Sequence, residues 1–113
     1  MNTMTRTRLL TNDLTPETLI TTVRDWGREK GINNDLMQYA KLNEEAGEIA
    51  HELTRGHRNT TDMKDALGDT FVTLIILADI LGFDIIDCLL VAYEEIKDRK
   101  GTNINGSFVK EEA

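Results

Sequence analysis

Apolar residues recur every three or four positions in four separate segments of this chain, and a residue that can cap a helix precedes each segment. The second segment shows a 3-4-3-4 spacing, typical of the contact stripe of a bundle helix, at Tyr39, Leu42, Ala46, Ile49 and Leu53. The alternating polarity of a β-strand is absent, and the one proline, Pro16, follows the capping residue Thr15. We therefore predict an all-α fold built as a four-helix bundle.

Capping residues and glycines mark the ends of these helices. We expect helices over residues 16–30, 36–55, 61–81 and 85–99. Beyond Thr70 the third helix is apolar on almost every side, and three other short helices could hardly cover it. We therefore expect homo-oligomerisation to complete the bundle, in a homodimer or homotetramer with the third helix in the interface.

Length and composition exclude several classes of protein. The 113 residues suffice for a single domain with one core, and a formal net charge of -7 repels the phosphates of duplex DNA or RNA. The single cysteine, Cys88, excludes an internal disulfide, and no apolar run is long enough to span a membrane. No secretory signal is recognisable, so we expect a cytoplasmic protein.

Glutamates crowd one side of the second predicted helix, in the stretch KLNEEAGEIAHEL. At 100° per residue, an arc of about 100° holds Lys41, Glu44, Glu45, Glu48 and Glu52. This arc borders the apolar stripe instead of lying opposite to it. For this helix alone, a solvated acidic face is an equally good interpretation, because exposed like-charge pairs cost only about 0.2 to 0.5 kcal/mol each.

Aspartates of the third predicted helix favour a metal site over a solvated face. They begin a stripe that continues as buried apolar residues, in the order Asp62, Asp65, Asp69, Val72, Ile76 and Ile80. Two carboxylates about 5 Å apart at an effective dielectric of 20 repel by about 3 kcal/mol, so several together must protonate or bind a cation. Carboxylate oxygens favour Mg²⁺ or Mn²⁺ over zinc, and we interpret His51 and His57 as surface residues.

The two acidic helices resemble a known family. KLNEEAGEI and, after a short connector, KDALGDTFVTLIILA are similar to the EExxE and ExxD helices of the MazG-like, all-α nucleoside triphosphate pyrophosphohydrolases. VRDWGREKGI and YEEIKDRKGTNINGSFVK look like the small, single-domain members often carried by phages, so the resemblance covers roughly residues 18–110. It implies a MazG-like bundle that hydrolyses a (d)NTP between the α and β phosphates, giving a (d)NMP and pyrophosphate.

The resemblance also implies a Mg²⁺ site between the two helices. Carried over by position, Glu45, Glu48 and Asp69 are metal ligands. Glu44 is implied to be a further ligand or to orient the attacking water. On this resemblance we expect Glu44 and Glu45 to be the catalytic residues.

One position departs from the family pattern. The ExxD motif has Glu where this chain has Ala66. Asp65 or Asp62 is expected to substitute as the fourth metal ligand, and Glu52, a turn beyond Glu48, is expected to be peripheral.

An acidic chain that binds a triphosphate needs local positive charge. The end of the last helix and the tail offer the candidate substrate-binding residues Lys97, Arg99, Lys100, Asn103 and Lys110. Their alternative role is to compensate the dipole at a helix C-terminus. Trp26 is a candidate for stacking on the base, with core packing as an equal alternative. We expect residues 1–13 to form a flexible arm, 14–100 the helical domain and 101–113 a tail that can close over the substrate.

Two other functions fit the same residues. The fold can act on phosphoribosyl-ATP or on an alarmone, because ordinary side chains build the base pocket. Ala66 instead favours a catalytically weak module that binds a nucleotide or metal and serves in assembly.

Overall fold

A computed structural model describes residues 14–112, and the predicted N-terminal arm at residues 1–13 lies outside this range. The elements follow along the chain as α1 (Pro16–Glu29), α2 (Asp35–Thr54), α3 (Thr61–Ile80), α4 (Ile85–Ile96), β1 (Gly101–Ile104) and β2 (Ser107–Lys110). The predicted all-α class and its four helices are confirmed, although α4 ends at Ile96 rather than at residue 99. None of these helices is long and apolar enough to cross a membrane.

Side chains cap the helices where the sequence predicted. Thr15 Oγ1 accepts a hydrogen bond from Thr18 N at 3.1 Å, directly ahead of Pro16. Thr60 Oγ1 accepts one from Met63 N at 3.1 Å at the start of α3. These oxygens satisfy backbone donors that the first turn of a helix leaves without partners.

The chain folds as two compact units, the first ending at Phe83 and the second beginning at Asp84. The boundary lies inside residues 14–100, the range predicted as one helical domain. In the first unit α2 packs along α3, and α1 packs on α3. The second unit contains α4 and the hairpin β1–β2.

A glycine and an ion pair hold α1 against α3. Gly27 is buried, and a Cβ atom built there would lie 3.0 Å from Ile76 Cγ1, so the backbone of α1 approaches α3 closely. Arg28 Nε and Nη2 donate to the carboxylate of Asp79 at 2.8 and 2.6 Å. This hydrogen-bonded guanidinium lowers the pKa of Asp79. The loop before α2 therefore starts from a defined position.

The buried side of α2 differs from the predicted stripe. Its buried and half-buried residues are Gln38, Leu42, Glu45, Ile49 and Glu52. The predicted Tyr39 and Leu53 are 55% and 39% exposed, so this part of the prediction is wrong within one chain. Apolar spacing could not reveal the shift, because three of the residues that turn inward are polar side chains with partners in the fold.

The C-terminal tail forms a β-hairpin, although the sequence shows no alternating strand pattern there. Antiparallel pairing joins Gly101 to Lys110 and continues to the turn. Asn105 and Gly106 have φ of 53° and 82°. These left-handed values are required at both central residues of the two-residue hairpin turn whose twist matches that of the flanking strands. The dipeptide Asn-Gly was the available signal. The strands on either side are too short for alternation to stand out.

Candidate active site

The acidic residues predicted to bind metal and catalyse the reaction lie around one cavity between α2 and α3. This acidic cavity has a volume of about 290 Å³ and is lined by Glu44, Glu45, Glu48, Glu52, Asp62, Asp65, Ala66 and Asp69. Every lining residue except Ala66 carries a carboxyl group. The fold thus brings together the two predicted catalytic residues and the four predicted metal ligands.

Helical spacing explains why these side chains converge. Glu45, Glu48 and Glu52 recur at intervals of three and four along α2 and therefore share a face. Asp65 and Asp69 recur at an interval of four along α3 in the same way. Because α2 and α3 pack along each other, the two acidic faces border the same space.

The pKa of Asp69 depends on negative charges from both helices. Partial burial raises the pKa of its carboxyl group, and the charges of Asp65 and Glu45 raise it further. The ammonium group of Lys41 acts in the opposite direction. The acidic cavity is therefore short of positive charge around Asp69.

Lys41 supplies positive charge at the end of the acidic cavity nearest to Glu45. Its Nζ lies 3.3 Å from Glu45 Oε1 and 3.6 Å from Glu44 Oε1. The hydrogen bond to Glu45 and the charges of both glutamates raise the pKa of Lys41. The side chain of Glu45 is 16% exposed and that of Glu44 is 65% exposed, so Glu45 is the inner and Glu44 the outer residue. Sequence reasoning placed Lys41 on the acidic arc without assigning it to the site; its intervals of three and four to these glutamates were the available signal.

A larger cavity adjoins the acidic cavity in the first unit. This Trp26 cavity has a volume of about 590 Å³, within the range of small-molecule sites. Its lining residues are Trp26, Gly31, Ile32, Asn33, Asn34, Met37, Gln38, Lys41, Glu45, Asp69, Val72, Thr73 and Ile76. Glu45 and Asp69 line both cavities, so a ligand in the larger one extends to the carboxylates of the smaller one.

Trp26 offers an aromatic surface to this larger cavity. The residue is 47% exposed, which excludes a fully buried core position. Gln38, which lines the same cavity, is buried at 6% exposure, and its Nε2 donates to the backbone carbonyl of Thr73 at 3.1 Å. That bond fixes which end of the Gln38 amide is the donor toward α3. Sequence reasoning missed Gln38 and Thr73, because neither belongs to a motif and they meet only when α2 packs on α3.

The carboxylates suit a hard divalent cation by their chemistry. Mg²⁺ and Mn²⁺ prefer carboxylate oxygens, which is what the acidic cavity offers. Within residues 14–112, however, no three His, Cys, Asp or Glu side chains are spaced to hold a metal ion as they stand.

The predicted substrate-binding residues of the last helix and tail lie in the second unit. They are all exposed, and they are Lys97, Arg99, Lys100, Asn103 and Lys110. Lys97 Nζ pairs with Glu94 at 2.7 Å, and Asn103 Oδ1 accepts a hydrogen bond from Gly106 N at 3.0 Å. Asn103 therefore stabilises the hairpin turn. The contact of these residues with a substrate stays a prediction.

Comparison with known proteins identifies a family. Residues 34–102, which hold α2, α3, α4 and the start of the hairpin, match the family model of the MazG nucleotide pyrophosphohydrolase domain. No curated protein and no solved structure matches the chain. The match includes every residue that lines the acidic cavity.

Proposed function

The chain belongs to the MazG nucleotide pyrophosphohydrolase family, and we propose that it hydrolyses nucleoside or deoxynucleoside triphosphates between the α and β phosphates. The observation that carries this proposal is the pair of adjoining cavities that share Glu45 and Asp69. One has the size and lining for a nucleoside, and the other has the carboxylates that a metal-bound phosphate chain requires.

The proposed metal ligands are Glu45, Glu48 and Asp69. Mg²⁺, or Mn²⁺ in its place, would neutralise the phosphate oxygens and the charge that develops on them. The raised pKa of Asp69 supports this assignment, because partial burial and the like charges of Asp65 and Glu45 both disfavour its ionised form, and a bound cation would offset them. A fourth carboxylate is needed where the family pattern has Glu and this chain has Ala66.

The reaction requires a water molecule and a group that accepts its proton. The water oxygen forms a bond to the α phosphorus, and the bond from that phosphorus to the α–β bridging oxygen breaks. The electron pair leaves with pyrophosphate, and the other product is the monophosphate. We assign the orientation of the water and the acceptance of its proton to Glu44, with Glu45 beside it, because Glu44 lies at the open side of the acidic cavity.

The nucleoside is assigned to the Trp26 cavity. The indole ring of Trp26 can stack on any base, and the amides of Asn33, Asn34 and Gln38 can hydrogen-bond to the base or sugar. Lys41 lines the same cavity beside Glu45, so its ammonium group lies where a phosphate of the bound nucleotide would approach.

Homo-oligomerisation is part of this proposal. On α3 an apolar stripe on the side away from Asp69 consists of Leu67, Phe71 and Leu74, which are 53%, 47% and 38% exposed. Such a stripe at helical spacing is typical of an interface. A second copy of this chain is the expected partner.

A product-resolved substrate screen tests the proposed activity. The protein is incubated with Mg²⁺ and each common NTP and dNTP, and the products are separated by anion-exchange chromatography. The expected products are a monophosphate and pyrophosphate. Release of orthophosphate as the primary product, or no hydrolysis of any nucleotide, would refute the proposal.

A matched pair of variants connects the activity to the acidic cavity. Glu48→Gln removes a proposed ligand while keeping the size of the side chain, so turnover should be lost while the circular dichroism spectrum is unchanged. Glu29→Gln removes the same charge from the exposed end of α1, outside both cavities, and should leave turnover unchanged.

Ala66 favours one alternative of a different class. If the missing acid is not replaced, the protein binds nucleotide and metal without appreciable turnover and serves in assembly. Mg²⁺ and nucleotide would then raise the melting temperature, while the product screen would stay empty. Hydrolysis of phosphoribosyl-ATP or an alarmone instead of an NTP would support the second alternative, and both compounds belong in the screen.

A further inference from the structure

Glu52 differs from the other acidic residues around the acidic cavity in its burial. It is 8% exposed, whereas Asp62 and Asp65, the two residues expected to replace the acid missing at position 66, are exposed. Carboxylates are almost never fully buried unless they are paired or bind a cation. The sequence predicted Glu52 to be peripheral to the metal site, and its burial is a feature that the sequence did not indicate.

His57 holds one oxygen of the Glu52 carboxylate. Its Nδ1 lies 2.8 Å from Glu52 Oε2, and its backbone N–H donates to the carbonyl oxygen of Glu52 at 2.9 Å. Within residues 14–112, the other carboxylate oxygen, Glu52 Oε1, takes part in no hydrogen bond or ion pair. A carboxylate with one oxygen held by a neighbouring side chain and the other available is the usual arrangement of a positioned metal ligand.

Glu52 lines the acidic cavity together with the proposed ligands. It lies one helical turn beyond Glu48 on the same face of α2. Ala66 is buried, lines the acidic cavity and ends at Cβ, so no side chain from that position occupies the space beside these ligands.

We infer that Glu52, positioned by His57, is the carboxylate that replaces the acid missing at Ala66 in the metal site. The inference rests on the proposed function, since it assigns a ligand of the same site. It adds a residue that lies outside both acidic motifs of the family pattern. His57 is a positioning residue, because it acts on the metal through Glu52.

Mn²⁺ binding tests this inference independently of turnover. The affinity of the full chain for Mn²⁺ is measured by isothermal titration calorimetry and by the electron paramagnetic resonance signal of free Mn²⁺, without nucleotide. Glu52→Gln keeps the size of the side chain and its hydrogen bond to His57, and should weaken binding at least about 10-fold. His57→Ala should weaken it by about 10-fold, as expected for a residue that orients a ligand.

Two controls separate ligation from other effects of the substitution. Asp62→Asn removes one negative charge from the lining of the same cavity and should change the affinity less than about 3-fold, since that group is not a ligand. Asp79→Asn breaks the ion pair of Asp79 with Arg28, in which the largely buried carboxylate lies outside this cavity. This substitution should lower the melting temperature without changing Mn²⁺ affinity. Thermal melts of all variants establish that each one folds.

A rescue variant tests whether Glu52 replaces the missing acid. Ala66→Glu combined with Glu52→Gln restores the family pattern and should bring Mn²⁺ affinity to within about 3-fold of the wild type. Three results would overturn the inference: the rescue fails, Glu52→Gln leaves Mn²⁺ affinity unchanged, or Asp65→Asn lowers the affinity about 10-fold while Glu52→Gln does not. In all three cases a wild type that binds Mn²⁺ and releases pyrophosphate leaves the proposed function intact, whereas a wild type that does neither refutes the function itself.

Discussion

Replacing Trp26 by alanine should weaken substrate binding without changing the chemical step. Trp26 lines the cavity assigned to the nucleoside and lies outside the acidic cavity. Stacking of a base on an aromatic side chain contributes about 1 to 3 kcal/mol, and each 1.4 kcal/mol is a factor of about ten in affinity. Trp26→Ala should therefore raise KM by about 5-fold to 150-fold. The same stacking acts on bound substrate and transition state alike, so kcat should stay within about twofold.

The cost of this substitution to folding follows from the exposure of the residue. Because Trp26 is 47% exposed, about half of its surface, roughly 100 Å², is buried in the folded chain. At about 25 cal/mol per Å², its loss should lower the free energy of unfolding by about 2.5 kcal/mol at most. Assays are therefore run well below the melting temperature of the variant, as measured by circular dichroism.

Binding can be followed directly, since Trp26 is the single tryptophan of the chain. A nucleotide analogue with a methylene group between the α and β phosphorus atoms binds without hydrolysis and should quench the indole fluorescence. Trp26→Phe keeps an aromatic face and should raise KM less than about 5-fold, while calorimetry replaces fluorescence for both variants. The reasoning is refuted if the analogue binds the wild type without changing its fluorescence, or if Trp26→Ala leaves KM within twofold of the wild-type value.

Three further results are expected. Gly27→Ala should lower the free energy of unfolding by about 1 kcal/mol, because the new Cβ would lie 3.0 Å from buried Ile76. Gly47→Ala should raise it by about 0.5 to 1 kcal/mol, because no atom lies within 4 Å of the new Cβ. Equal effects of the two substitutions in urea unfolding would contradict the close contact at Gly27. Asp69→Asn should be more stable than the wild type at neutral pH without divalent cations, because it removes a partly desolvated charge that its neighbours repel. This difference in the free energy of unfolding should disappear as the pH falls through the raised pKa of Asp69 and below the ordinary aspartate range. A difference that stays constant from pH 3 to 8 would refute this prediction. Phe71→Asp should shift the protein to a smaller species in light scattering after size exclusion, and an unchanged mass would remove the α3 stripe from the interface.

The helices are the part of this fold that local sequence predicts well. Thr15, Thr60 and Asp84 satisfy backbone donors within their own first turns, so each helix start depends only on neighbouring residues. The hairpin at Asn105 also has a local signal, which went unrecognised because its two strands have only four residues each. Local patterns fail once the choice depends on which helix packs where.

The acidic site shows this limit most clearly. Helical period placed Glu45 and Glu48 on one face of α2 and Asp69 on one face of α3, and the family resemblance predicted that these faces share one space. The burial of Glu52 could not be predicted in the same way. It depends on the packing of α2 along α3, and His57, in the turn after α2, then contacts the buried carboxylate.

The sequence alone determined the helical class, the helix starts, the two acidic faces and the family to which they belong. Each of these follows from period, capping or motif within a continuous stretch of chain. Only the tertiary structure decided that Gln38 and Glu52 turn inward, that Trp26 lines a cavity beside Glu45, and that Gly27 lets α1 approach α3. These features depend on contacts between residues far apart in sequence. Local periodicity leaves several faces of a helix equivalent, and the packing of α1 and α2 on α3 decides which of them is buried.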